Sequence, residues 1–122
     1  MKNRLFLVLS LIVCYIALGS TKSSVSIIGP CLPNGHSEII LSEPGYYRFI
    51  ESGIPSSVSS SDISWRVEKN NVLIDSGTGR DVLLYIDWGD NTVYLNWPEG
   101  VIGKFGIPEL KQISKVVNGG YY

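Results

Sequence analysis

ISWRVEKNNVLIDSGTGRDVLLYIDWGDNTVYLNW, residues 63–97, decides the fold, because apolar and polar side chains alternate along it with a period of two. Three alternations stand in a row, divided by Asn70-Asn71, by Ser76-Gly77-Thr78-Gly79 and by Gly89-Asp90-Asn91. Successive side chains on a strand point to opposite faces. Ile63, Trp65 and Val67 therefore share one surface, as do Val82, Leu84, Ile86 and Trp88, and then Val93, Leu95 and Trp97. The dividers are turn chemistry. The stretch predicts antiparallel strands that close an all-β sandwich around Trp65 and Trp88.

The flanks extend the same reading. Val25 to Ile28 is a short alternating run that is expected to stop at Gly29-Pro30, and Asn34-Gly35 favours a turn with positive φ before Glu38 to Leu41. Tyr46 to Ile50 follows the turn signal Pro44-Gly45, and its aromatic content favours a strand. Ser52 to Asp62, with Gly53, Pro55 and a run of serines, reads as a flexible surface loop. A hydroxyl attacks only when a neighbouring base draws off its proton, so a surface connection is the reading preferred over a nucleophile. Lys69-Asn70-Asn71 predicts a tight hairpin into Val72 to Ile74, and Gly77 and Gly79 are expected to permit a bend between sheets. Leu110 to Val117 fits both a helix face and a strand; the need for a closing strand favours the latter. About seven strands result.

Met1 to Ser20 reads as a secretory signal, with Lys2 and Arg4 before the apolar stretch Leu5 to Leu18 and small residues around a cut after Gly19. The domain division is then a signal peptide at 1–19 and one domain at 20–122, exported to the cell surface or beyond. An uncleaved membrane anchor is the competing reading, but the run is shorter than the roughly 20 apolar residues a spanning helix needs. Lipidation of Cys14 is a third, and Val13 departs from the Gly or Ala that stands before a lipidated cysteine. Removing Lys2 and Arg4 leaves eight of the ten basic side chains against eleven acidic ones, a net charge of minus three. That balance argues against nucleic acid as a partner, since a phosphate backbone is bound by a basic face that releases counterions. Cys31 becomes the only cysteine after the cut, so no internal disulfide is expected. It is either a small, partly buried apolar residue or a thiol that pairs with a second chain or with a missing partner segment.

Reactive side chains are sparse. His36 is the only histidine and lacks the spacing of a zinc site, to which Cys31 would add at most one further ligand. Asp87, Asp90 and Asn91 place three oxygen-bearing side chains together, yet calcium takes six to eight oxygens, and a turn bonding its own backbone accounts for the same residues. Ser76 to Arg80 lacks the lysine and the following helix of a phosphate loop. No metal site, cofactor or catalytic residue is predicted, and the chain reads as a non-enzymatic module. One binding feature stands out. Tyr85 and Tyr94 fall on the parity opposite to their strands' apolar sets and are expected to sit adjacent across a hairpin, with Trp97, as a small platform for sugar rings.

The chain resembles the PKD-like, immunoglobulin-like domains of exported bacterial surface proteins. The resemblance runs through Ile27-Ile28-Gly29-Pro30-Cys31, the strand near Tyr46-Tyr47, Ser64-Trp65-Arg66-Val67, Ile74-Asp75-Ser76-Gly77-Thr78-Gly79 and Val82 to Gly89. It covers about residues 27 to 95. It implies an immunoglobulin-like sandwich acting in cell-surface interaction or adhesion, with an extracellular protein or a polysaccharide as partner. The segment after Trp97 departs from the pattern, and no second cysteine answers Cys31. A small carbohydrate-binding module using the exposed aromatic residues is the alternative function.

Overall fold

The computed structural model describes residues 24–102 and 106–121, without the side chains of Val101 and Ile102. The expected signal peptide and Cys14 lie outside the described residues. Seven strands follow one another: β1 (Ser26–Cys31), β2 (Gly45–Ser52), β3 (Ser64–Lys69), β4 (Val72–Thr78), β5 (Asp81–Ile86), β6 (Asp90–Ile102) and β7 (Ile107–Asn118). They form two antiparallel sheets, ordered β1-β2-β5 and β4-β3-β6-β7. The sheets pack face to face. Phe49 of β2 and Trp65 of β3 meet across the interface with ring centroids 6.4 Å apart. One apolar cluster joins Phe49, Leu84 and Ile86 from the first sheet to Trp65, Val67 and Leu95 from the second. Each such side chain, taken fully out of water, contributes about 1.5–3 kcal/mol.

Local chemistry explains where the chain turns. Asn70 and Asn71 adopt φ of 53° and 64°, the two-residue turn whose twist matches the flanking strands, and β3 and β4 form the predicted hairpin. Leu110 to Val117 lies within β7, as a strand. At the other end of β4 the sequence expectation fails: Asp75 to Thr78 stays in the strand. The Asp75 carboxylate accepts from the Ser76 N–H and from the Tyr85 N–H, both at 2.8 Å, which satisfies backbone groups beside a bulge in the ladder. Only Gly79, at φ 117°, makes the bend between sheets. β1 likewise does not stop at Gly29-Pro30. It passes through them on a bulge with a cis Gly29–Pro30 peptide, and a Cβ at Gly29 would lie 2.7 Å from the Arg48 carbonyl oxygen. The turn near Asn34 is centred one residue early. The Gly35 N–H donates to the Leu32 carbonyl at 2.8 Å, so Pro33 and Asn34 occupy the corner with ordinary negative φ.

The serine-rich segment is fastened rather than loose. Arg80 donates to the carbonyls of Ile54 (3.2 Å), Pro55 (2.9 Å) and Val58 (2.5 Å) and pairs with the Glu51 carboxylate at 2.9 Å. One guanidinium thus satisfies carbonyls that no strand partner reaches.

Trp88 is not in the core. β5 ends at Ile86, the Asp87 carboxylate takes the Trp88 N–H at 2.8 Å, and the indole sits half-buried in the crossover to the other sheet. Parity ceases to predict direction once the strand ends. The crossover is held instead by Asn91, which is fully buried. Its Oδ1 accepts from the Asp87 N–H at 3.1 Å, and its Nδ2 donates to the carbonyls of Asp87 (2.9 Å) and Gly89 (3.0 Å).

Candidate functional site: the free edge of the last strand

The aromatic residues expected to form one platform are separated by the topology. Tyr85 lies on β5 of the three-stranded sheet and Tyr94 on β6 of the four-stranded sheet, so their outward side chains occupy opposite faces of the sandwich. Sequence adjacency suggested a hairpin; the Asp87–Gly89 crossover makes it a change of sheet. Tyr85 packs edge-on against Tyr46, its partner in the ladder, at 5.3 Å between centroids. Tyr94 carries the Arg66 guanidinium over its ring at 4.0 Å, so one aromatic face is already covered. Trp97 is 4% exposed and belongs to the core. Its inward parity with Val93 and Leu95 is kept, and the ring is not available for stacking on a ligand.

Other polar groups serve the scaffold. Arg66 also donates to Glu68 (2.7 Å), Asn96 (3.1 Å) and Gln112 (3.1 Å), tying β3, β6 and β7 together across the outer face. His36 is exposed beside Arg48, which forms a two-point ion pair with Asp81. That pairing holds the Asp81 carboxyl below the usual carboxylate range. Among the described residues no three His, Cys, Asp or Glu side chains converge on a common point. Cys31 is fully buried, and burial pushes its thiol up, with the Glu38 carboxylate acting in the same direction. The neutral thiol is the unreactive form.

The feature that remains lies at the edge of the larger sheet. Among the described residues β7 pairs with β6 on one side and with no strand on the other, so alternate N–H and C=O groups along it face outward. It is also long. β3 covers β6 only from Thr92 to Asn96, while β6 and β7 remain paired as far as Ile102 and Ile107, forming a two-stranded arm beyond the sandwich. Beside the other half of β7 runs a groove of about 240 Å³, walled by Val116 and Val117 on one side and Ile39, Ile40 and Leu41 on the other. Ile40 is 99% exposed and Val116 63%.

The far wall is fixed by backbone and charge. The Ile39 N–H donates to the Pro30 carbonyl at 2.9 Å, and Cys31 and Glu38 form a single bridge. Lys115 reaches from β7 across the open side of the sandwich, donating to the Gly29 carbonyl at 2.5 Å and lying 3.2 Å from the Glu38 carboxylate. The Gly29 N–H, at 3.2 Å, and then Lys115 hold the Glu38 carboxyl below its ordinary range. The groove is therefore preformed, with an apolar interior and one ion pair beside it.

Comparison with protein-family models, with curated proteins and with solved structures finds no match. Ile40, Val116 and Lys115 do not stand out in the sequence as site residues. A signal was present: Ile39-Ile40-Leu41 and Val116-Val117 are consecutive apolar residues where a half-buried strand has room for only every second one.

Proposed function

We propose that this chain is an exported, non-enzymatic module of immunoglobulin-like, PKD-like topology that binds a protein partner by adding an extended strand to the free edge of β7. The strand order β1-β2-β5 over β4-β3-β6-β7 supports the topology. The observation that carries the binding mode is the open β7 edge beside the apolar groove, with Ile40 and Val116 in solvent. Main-chain hydrogen bonds along such an edge give affinity, and alternate side chains falling into the groove give selectivity. The expected export signal and the family resemblance support a partner outside the cell.

The test is amide chemical-shift mapping of the labelled chain against a panel of linear peptides with alternating β-branched residues, and in parallel against soluble glycans. Saturable shifts confined to Lys111–Asn118 and Glu38–Leu41 are expected with peptides. Shifts confined to the Tyr46–Tyr85 face, or produced by glycans alone, would refute the proposal.

A further inference from the structure

β7 carries its charges in an order that selects a partner. Glu109, Lys111 and Lys115 lie on the same parity as Ile113 and Val117, on the side of the sheet that faces the core, with the first two 3.1 Å apart. Lysines on an edge strand ordinarily discourage a second strand from docking. A strand that offers a carboxylate opposite one of them is the exception, and β7 itself is such a strand.

We infer that the edge pairs with a second copy of this chain, β7 against β7 in antiparallel register about a two-fold axis at Gln112; this rests on the strand-addition reading above. In that register Glu109 of each copy faces Lys115 of the other, Lys111 faces Ile113, and Leu110 faces Ser114. Moving the axis by one residue is repulsive either way: at Ile113 it sets Lys111 against Lys115, and at Lys111 it sets that lysine against its own copy. Like charges directly opposite on a sheet are destabilising, so charge excludes both neighbouring registers, and the groove selects among the rest.

The same register solves the geometry of the groove. Ile107 and Pro108 of one copy fall opposite Val117 and Val116 of the other, so the arm that projects beyond one sandwich enters the groove of its mate. Leu110, 77% exposed, and Val116 are both covered. The contact is isologous and closes on itself, giving a dimer and not a filament.

The test uses the full chain with Cys14→Ser, in which buried Cys31 is the only native thiol left. Sedimentation equilibrium is expected to show a dimer, and Glu109→Lys to raise its dissociation constant roughly tenfold, because two symmetric attractions become repulsions. Register is read by oxidation. Gln112→Cys is expected to give a covalent dimer; Lys111→Cys and Ile113→Cys are expected to cross-link when mixed but not separately. A dimer in which Ile113→Cys cross-links alone overturns the register. A chain that stays monomeric while peptides still shift the β7 amides overturns self-pairing and leaves the edge reading standing. A monomer that responds to no peptide overturns both.

Discussion

Asn91→Ala would remove the side chain that fixes where one sheet ends and the other begins. Asn91 is fully buried and makes three hydrogen bonds of 2.9–3.1 Å to Asp87 and Gly89, plus a longer one of 3.4 Å to the Val117 carbonyl. A net value of about 1 kcal/mol for each good bond gives about 3 kcal/mol, and the orphaned N–H and carbonyls add to it only where water cannot enter. Water reaches part of this corner, since Asp87 and Gly89 are themselves half-exposed. The expected loss is therefore about 3 kcal/mol, a large share of the roughly 5–15 kcal/mol that a domain of this size possesses. It corresponds to a Tm lowered by about 12–24 °C. Urea unfolding followed by tryptophan fluorescence measures it. Asn96→Ala is the control, because Asn96 bonds Arg66 and Gln112 on the outer face, and it should cost less than about 1 kcal/mol. Equal losses for the two variants would refute the claim that Asn91 pins the crossover.

Trp65→Phe and Trp97→Phe form a matched pair, since both shrink a buried ring but only Trp65 loses a bond, its Nε1 donating to the Gly79 carbonyl at 2.7 Å. The Trp97 Nε1 finds no hydrogen-bond partner among the described residues. Trp65→Phe should cost about 1–3 kcal/mol more than Trp97→Phe in urea, and a smaller cost at position 65 would contradict the assignment. Acid should destabilise the fold through Asp81, Glu38 and Asp87, whose carboxyls are held below their ordinary range by Arg48, by the Gly29 N–H and by the Trp88 N–H respectively. Depressed folded-state values mean that this stabilisation is complete above the ordinary carboxylate range, near pH 4, and disappears as pH falls through the folded values. Asp81→Asn should flatten the decline below about pH 4; parallel curves for it and the parent would rule out the Arg48–Asp81 contribution.

Residues 63–97 disclosed the strands because alternation is a property of each strand alone. Val67, Leu84 and Leu95 needed only their own neighbours to declare a buried side, and Asn70-Asn71 needed only its tolerance of positive φ. Pairing is different. Whether β5 lies beside β6 or beside β2 depends on the path of Asp87 to Gly89, three residues whose direction is set by a buried amide at Asn91. Period two is silent on that choice, which is why Tyr85 and Tyr94 were expected together and are found on opposite faces. The candidate edge was less legible still. A free edge is defined by a strand that is not there, and only the doubled apolar pairs at Ile39-Ile40 and Val116-Val117 hinted at it.

Ser24 and Gly120 lie at opposite poles of the sandwich. Ser24 lies against Gly53, beyond the Ser26–Ser52 rung, while Gly120 lies against Ser42 and bonds Gly89, beyond the Gly45–Ile86 rung. A pull applied between them runs along the strands. The β1–β2 rungs then bear load side by side, as does the Lys115 link to Gly29, and they yield together instead of one after another. A body so strung resists tension in the way a shear joint does.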